Sequence, residues 1–363
     1  MQSNAVSSPQ QLVALIEAGQ RAAEDFRHDE AVEKFELAVS SVLLNAEQRA
    51  RVRCALAESL EYLARYRDAL GVIAEYETPS IRSQLASSSQ FQVWLRLGSL
   101  QGYLGDHPRA ISYVKSALTL AEKSQNEEEL GACHMVLGRI YRGIGEAQFA
   151  RDHLRVALQH NRKIGQWVSL AQNYFLLGNV YLNEGEMNAA RENFEQAIKI
   201  IGDRRAPLLL GSIYTSLSNL ILLQEYRQAT EGVETLEKAI HYLTEAKNDR
   251  LLAYAYSNLG YVLTNIGEWE RAKQALHYAI EVGERLDNRA VQGTALDTLG
   301  ELMMLQGDLH EAEQLLERSL YHLQAVNFTY GEVQAVQTQG RCFLAQGQYQ
   351  QAIETFERQL ALA

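Results

Sequence analysis

Residues 251–288 decide the fold. They run LLAYAYSNLGYVLTNIGEWERAKQALHYAIEVGERLDN, two amphipathic segments separated by the short break IGEW. Apolar residues recur at helical spacing on both sides of this break. The same plan appears upstream in AQNYFLLGNVYLNEGEMNAARENFEQAIKII (171–201) and downstream in GTALDTLGELMMLQGDLHEAEQLLERSLYHL (293–323). A helix pair that recurs at a fixed period indicates a repeat protein.

Two columns of small residues set the register of the repeat. The first lies in the first helix of each pair, at Gly19, Ala57, Gly98, Gly138, Gly178, Ser218, Gly260, Gly300 and Gly340. The second opens the second helix, at Ala31, Ala69, Ala110, Ala150, Ala190, Gly232, Ala272, Ala312 and Ala352. Members of the second column lie 38 to 42 residues apart, so we count nine helix pairs. A missing side chain lets two helices cross closely, which explains glycines that cost about 1 kcal/mol each inside a helix.

The ends of the helices are also marked. Glycine follows the first helix in six pairs, where a left-handed C-cap favours it: Gly105, Gly145, Gly185, Gly267, Gly307 and Gly347. Pro9, Pro79 and Pro108 stand where helices are expected to start. Large apolar residues such as Phe194 and Leu276 lie one turn beyond the second column and on the same helix face.

The pattern formed by these columns resembles the tetratricopeptide (TPR) consensus. In residues 251–288 the matching positions are Tyr256, Leu259, Gly260, Gly267, Trp269, Ala272 and Ala279. The resemblance implies an all-α, right-handed superhelical solenoid of about nine TPR helix pairs. We expect residues 9–363 to form a single superhelix and residues 1–8 to be disordered. The repeat of about 40 residues exceeds the family's 34 and is similar to those of LGN/Pins scaffolds, Rap regulators, kinesin light chains and MalT-type activators.

Composition and charge exclude several classes of function. The net charge of −11 gives no basic footprint, so we expect no general nucleic-acid binding. No apolar run approaches the length of a membrane span. The three cysteines are odd in number and far apart, which favours a reducing, cytoplasmic location and neither zinc nor disulfides. We expect no metal and no other cofactor.

Catalytic motifs are incomplete throughout the sequence, so we predict no enzyme activity. Gly143-Ile-Gly145 begins like a dinucleotide fingerprint, but Gln148 stands at the third glycine position. Three histidines were also considered. His134 shares a column with large aromatic residues and is predicted to be packed, whereas His153 and His160 are interpreted as two solvated side chains without a third metal ligand.

The binding surface is predicted from helical phase. With the glycine column numbered as position 8, positions 4, 7, 8 and 11 pack, and positions 2, 5, 6, 9, 12 and 13 lie opposite them. The resemblance implies that this opposite side lines a concave groove. The predicted partner-binding residues are Arg96, Arg139, Arg142, Asn179, Asn183, Asn219, Tyr254, Asn258 and Asn265. The groove is acidic at first, with Glu58 and Glu61, then basic, then rich in asparagine. The alternative is that these are ordinary polar residues of a wet surface.

Two functions fit these features. The first is a non-catalytic scaffold that binds an extended peptide or partner helix in its groove, because Asn can both donate to and accept from a peptide backbone and Arg can hold a carboxylate or phosphate. The alternative is an effector-sensing regulatory region of a larger bacterial signalling or transcription-regulator protein. Position 5 carries no lysine, which excludes the carboxylate clamp for chaperone tails. The last helix has apolar residues without a following repeat, so we expect a further domain or subunit to cover that edge.

Overall fold

The computed structural model describes residues 8–224 and 229–362, and no strand occurs in these ranges. The chain divides into two compact units, an N-terminal unit that extends to Ile213 and a C-terminal unit that begins at Tyr214. Ser8, expected to be disordered, instead caps the first helix, where its hydroxyl accepts a hydrogen bond from the backbone amide of Gln11. The rest of the expected disordered segment, residues 1–7, lies outside the described residues.

The N-terminal unit consists of five helix pairs, which we call repeats 1 to 5, together with one short extra helix. Its helices are α1 (Pro9–Glu24), α2 (His28–Val39), α3 (Ala46–Tyr62), α4 (Tyr66–Ile73), α5 (Pro79–Arg82), α6 (Ser87–Leu104), α7 (His107–Ser124), α8 (Glu127–Ile144), α9 (Ala147–Ile164), α10 (Trp167–Asn183) and α11 (Met187–Ile201).

The C-terminal unit holds repeats 7 to 9 and most of repeat 6, whose first helix begins in the N-terminal unit. The helices are α12 (Pro207–Gln224), α13 (Ala229–Glu245), α14 (Asp249–Asn265), α15 (Trp269–Arg285), α16 (Arg289–Gln306), α17 (Leu309–Ala325), α18 (Thr329–Ala345) and α19 (Tyr349–Leu362). All four prolines stand at the start of a helix, in α1, α5, α7 and α12.

Each unit is a stack of helix pairs. The first helix packs on the second within a repeat, as α8 does on α9, and the second then packs on the next repeat. First helices of neighbouring repeats also contact each other, as α6 contacts α8 in the N-terminal unit and α14 contacts α16 in the C-terminal unit. The first helices therefore lie side by side, and we call the surface made by their positions 2, 5, 6, 9, 12 and 13 the first-helix face.

The glycine column confirms the predicted close crossing. A Cβ added at Gly178 would lie 2.5 Å from the ring of Phe194, and one at Gly260 would lie 2.5 Å from Leu276. Both distances are far inside van der Waals contact, so only glycine fits without movement of the partner. At the helix end, Gly145 has a φ of +88° and forms the predicted left-handed C-cap of α8.

The sequence assignment of packing positions was incomplete. Positions 3 and 10 are buried as well, for example Cys133 and Ile140 in α8. The reason is that a first helix packs against both its own second helix and the first helix of the neighbouring repeat. A Cβ at Gly102 of α6 would lie 3.0 Å from Ile140, which shows this second contact directly.

The short helix α5 departs from the predicted eighteen helices. In six other repeats an alanine with no exposed surface, such as Ala117 or Ala157, lies seven residues beyond the second column, but repeat 2 has Tyr76 there. The Tyr76 ring is buried, and a ring cannot occupy the space of a methyl group on the same helical path. The second helix accordingly ends at Ile73, a 3₁₀ turn follows over Ala74–Glu77, and α5 begins at Pro79.

The last helix leaves apolar side chains in solvent, as the sequence predicts. On α19, Tyr349 is 67%, Ile353 is 53% and Leu360 is 80% exposed. The domain or subunit expected to cover this edge stays a prediction.

Candidate functional site

The first-helix face of the N-terminal unit carries a network of ion pairs. Arg96 on α6 contacts two carboxylates of α3, that of Glu58 at 2.9 Å and that of Glu61 at 2.7 Å. The hydroxyl of Ser99 donates to Glu61 at 2.6 Å. These residues occupy positions 6, 9 and 12 of neighbouring first helices, so the helical phase alone brings them to one face.

Arg139 extends this network to the next repeat. From α8 it donates to the Ser99 hydroxyl at 2.6 Å and also to the Tyr103 hydroxyl. Its guanidinium group lies over the Tyr103 ring, 4.0 Å from the centroid, and 3.8 Å from the carboxylate of Glu61. The Tyr103 ring in turn stacks on Tyr66 of α4 with 4.4 Å between centroids. Arg139 is therefore held in one orientation by several partners.

The electrostatics of the network favour full ionisation. Burial raises the pKa of the Glu61 carboxyl, but the nearby Arg96 and Arg139 outweigh that effect and hold the pKa below its usual range. Burial alone would lower the pKa of Arg96. The carboxylates of Glu58 and Glu61 raise it by more than burial lowers it, so the net shift of the Arg96 pKa is upward. The sequence interpretation of separate acidic and basic zones was wrong, because the acidic residues of α3 and Arg96 of α6 neutralise each other.

Arg142 differs from both other arginines. It lies in the last turn of α8, half-buried, and its Nε is buried without a hydrogen-bond partner among the described residues. Burial lowers the pKa of Arg142, and the positive charge of Arg139 lowers it further. Tyr103 raises the pKa of Arg142, but a tyrosine hydroxyl does not supply the negative charge that an ion pair needs. Within the described face, Arg142 carries a positive charge that the ion pairs of α3 and α6 do not balance.

The predicted asparagines of the N-terminal unit lie on α10. Asn179 is half-buried and donates through Nδ2 to the carbonyl oxygen of Phe175 at 3.1 Å, one turn earlier in its own helix. Asn183 is exposed at the last residue of α10. Asn179 stands at position 9, one repeat beyond Arg139 at the same position, so the face continues from charged to amide groups.

In the C-terminal unit the structure brings two of the predicted amides together. Nδ2 of Asn258 on α14 donates to Oδ1 of Asn219 on α12 at 2.9 Å. Asn265 is exposed and donates to the carbonyl oxygen of Tyr261 in its own helix at 2.9 Å. Tyr254 is half-buried and packs against the core cluster of this unit. The amide groups are thus accessible in part, and two of them already bond to each other.

Asp297 lies at an inner position of repeat 8 and is a candidate site residue outside the predicted partner-binding set. Its Oδ1 is buried and has no hydrogen-bond partner within the described part of the chain. Burial raises the pKa of the Asp297 carboxyl to about 7; Glu301 adds to this shift, while Thr338 and Arg341 oppose it. Arg341 pairs with Glu301 at 2.7 Å instead. The available signal was position 5, where Asp297 is the one charged residue in a column of apolar and neutral side chains.

The histidines form a cluster between α8 and α9. Nδ1 of His134 lies 2.9 Å from Nδ1 of His153, and the His134 ring stacks at 6.0 Å on His160, which also bonds to Glu127. Burial, with the two other histidines, lowers the pKa of His134 to about 4. His134 is packed as predicted, but the interpretation of His153 and His160 as solvated was wrong. In repeat 6 the positions of His134 and His160 are occupied by Tyr214 and Tyr242, whose rings stack. Aromatic rings therefore pack at these two positions in both repeats.

Within residues 8–224 and 229–362, no cluster of histidine, cysteine and carboxylate groups has an arrangement suited to a metal ion. None of the helices in those ranges is both long and apolar enough to cross a membrane.

The stacked helix pairs define a TPR-type solenoid fold, and comparison with known families agrees. The sequence model of the MalT-like TPR region matches residues 98–287, more than half of the chain. The chain belongs to this family. A general tetratricopeptide repeat model matches residues 251–325 and 291–363, and a model of anaphase-promoting complex subunit 5 matches residues 50–142. No curated protein matches the sequence.

Solved structures share the fold at low sequence identity. A Rap protein crystallised in complex with Competence and Sporulation Factor is 14% identical, with 97% of each chain covered and a TM-score of 0.69. The quorum sensor NprR from B. thuringiensis is 10% identical, with 97% of this chain and 99% of that chain covered and a TM-score of 0.64. Aspartyl phosphate phosphatase F from Bacillus subtilis is 14% identical, with 98% and 95% covered and a TM-score of 0.61.

Proposed function

We propose that this protein is a non-catalytic regulatory module that binds a peptide, or an extended segment of a partner protein, along its first-helix face. One observation carries the proposal. Position 9 carries a polar side chain in all nine first helices, while the neighbouring position 8 is buried in all nine and position 10 in eight of them. The scaffold therefore presents donors and acceptors at regular intervals, which suits the repeating backbone of an extended chain.

The relatives support a regulatory role. NprR is a quorum sensor, and the Rap protein was crystallised in complex with Competence and Sporulation Factor. At 14% and 10% identity the similarity concerns the fold alone, so the residues of this chain itself must indicate its ligand. Three buried free thiols, those of Cys54, Cys133 and Cys342, fit a reducing compartment, and we propose a cytoplasmic location.

The test begins with selection of binding peptides from a random display library on the full chain. Replacing Asn179 with Ala should then weaken binding of a selected peptide about two- to tenfold, because one hydrogen bond contributes about 0.5–1.5 kcal/mol. Asn258→Ala should act in the same way for peptides that engage the C-terminal unit. Affinity is measured by isothermal titration calorimetry.

A matched control lies in the same repeat as Asn179. Asn193, on the second helix α11, also donates through Nδ2 to a carbonyl one turn earlier, that of Ala189, at 2.7 Å. Asn193→Ala removes a similar bond away from the proposed surface and should leave affinity unchanged. Peptides whose affinity falls with Asn193→Ala but survives both Asn179→Ala and Asn258→Ala would place binding on the second helices and refute the proposal.

The family favours one alternative. Because residues 98–287 match the MalT-like TPR region, the chain could alternatively serve as the effector-sensing part of a larger regulator. The signal transduction ATPase of Pyrococcus horikoshii has a tetratricopeptide repeat sensor. It is 11% identical to this chain, with a TM-score of 0.53, and the match covers 81% of this chain and 45% of that chain. A thermal-shift assay with a set of metabolites would detect a small effector. The effector would raise the unfolding temperature of the chain in the absence of any selected peptide.

A further inference from the structure

We propose that Arg142 is an anion anchor on the first-helix face of the N-terminal unit, and that it takes a carboxylate side chain of the bound peptide. This inference rests on the proposed function and names the chemistry of its ligand. It predicts that the ligand is an acidic peptide segment, with an Asp or Glu at the point that meets α8.

The charge balance of the face carries the first step. This part of the face carries three guanidinium groups, those of Arg96, Arg139 and Arg142. It carries two carboxylates that pair with them, those of Glu58 and Glu61. Both carboxylates are within 4 Å of Arg96, and Glu61 also lies 3.8 Å from Arg139. The groups that act on the charge of Arg142 are Arg139, which repels it, and the Tyr103 hydroxyl. One positive charge is left over, and a carboxylate of the ligand would balance it.

The orphaned Nε carries the second step. A buried donor without a hydrogen-bond partner destabilises the folded state, because it has lost its hydrogen bonds to water and gained none in return. Arg142 lies in the last turn of α8, where a positive charge also interacts favourably with the helix dipole. That interaction is available to a fully solvated side chain, so it does not explain why Nε is removed from water. An incoming carboxylate can accept two parallel bonds from a guanidinium group, and it would satisfy Nε if the Arg142 side chain turned outward on binding.

Neighbouring residues complete the site. Arg139 is fixed by Ser99 and Tyr103, so it places a second positive charge beside Arg142 without being free to move. Tyr103 is 40% exposed, but Tyr66 and Arg139 cover the faces of its ring, so its edge is the part left to an incoming side chain. Asn179 follows at position 9 of the next first helix and would hold the adjacent peptide backbone. A single carboxylate matches the one surplus charge, whereas a doubly charged phosphate would exceed it.

The test uses the full chain with ¹⁵N-labelled arginine and two capped peptides, acetyl-Ala-Ala-Glu-Ala-Ala-amide and its Gln counterpart. The Glu peptide should shift the Arg142 Nε–H resonance saturably and should bind about ten- to a hundredfold tighter than the Gln peptide, as expected for a charged hydrogen bond. The difference should shrink as salt is raised. Arg142→Gln should abolish the discrimination, and Arg142→Lys, which keeps the charge but loses the fork, should reduce it.

Arg67→Gln is the matched control, since it removes the same charge from an exposed residue of α4 in the same unit. It should preserve the preference for the Glu peptide. Equal binding of both peptides, weakened alike by Asn179→Ala, would overturn the anion anchor and leave the proposed function standing. Absence of any Arg142 shift with the Glu peptide, or a shift only with a phosphoserine peptide, would also overturn it.

Discussion

The two units join their first helices by different chemistry. In the N-terminal unit, Arg96 and Glu61 form a partly buried ion pair that connects α6 to α3. In the C-terminal unit, the amides of Asn219 and Asn258 connect α12 to α14, and the ion pair of Arg341 with Glu301 is more exposed. Both units nevertheless keep the same crossing of glycine against a large apolar side chain. The scaffold residues are constrained by packing, while the face residues are free to differ with the ligand.

The largest difference between the units should appear on removal of one arginine from each. Arg96→Gln leaves the Glu61 carboxylate, 12% exposed, with Arg139 at 3.8 Å and Ser99 as partners, and should lower the unfolding free energy by about 3 kcal/mol. Arg341 is 48% exposed, so Arg341→Gln should cost less than about 1 kcal/mol. Urea unfolding followed by circular dichroism measures both values. Equal losses would show that the two networks are equivalent.

The scaffold was predictable from sequence because its requirement is local. A glycine such as Gly178 and a large apolar residue such as Phe194 recur at a fixed offset, and close crossing of two helices requires a small residue at the first of these positions. A helix start at Pro79 was expected, but the end of the second helix at Ile73 and the separate short helix α5 were not, since they follow from the volume of the buried Tyr76 ring. The clustering of His153 with His134 was also missed, because spacing along α9 does not reveal what lies across from it on α8.

The face was predictable in position but not in pairing. Helical phase placed Arg96, Arg139 and Arg142 on one surface, as the structure has them. Their partners depend on how side chains reach between neighbouring repeats, and Glu61 of α3 was consequently assigned to a separate acidic zone. The difference between Arg139 and Arg142 is a property of their surroundings and has no counterpart in the sequence.

A smaller effect should distinguish the C-terminal unit by its pH dependence. The pKa of Asp297 is about 7 in the folded chain against an ordinary value of 3.8, so the folded state holds its proton more tightly than the unfolded state does. Stability should therefore fall as pH rises from about 4 to about 7, and the full cost should persist above 7. Asp297→Asn should remove this cost, which is at most about 4 kcal/mol for a pKa difference of about 3 at 1.36 kcal/mol per pKa unit.

Urea unfolding of the wild type and of Asp297→Asn at several pH values tests this prediction. The two proteins should be nearly equal in stability at about pH 4, and the variant should be the more stable at about pH 8. His134 and the other titrating groups are common to both proteins, so they cancel in the difference. A difference that does not change with pH would show that Asp297 is ionised in the folded state with an ordinary pKa.

The most direct test of the central claim, that the N-terminal unit keeps one guanidinium group unbalanced for a ligand, is the unfolding free energy of Arg142→Gln without ligand. Arg142 has no carboxylate partner in the described face, and its neighbour Arg139 repels it. The account predicts that Arg142→Gln is unchanged in stability or more stable by up to about 1 kcal/mol, since it relieves a buried charge. A loss of about 2 kcal/mol or more, approaching that of Arg96→Gln, would show that Arg142 supports the fold and would contradict the account.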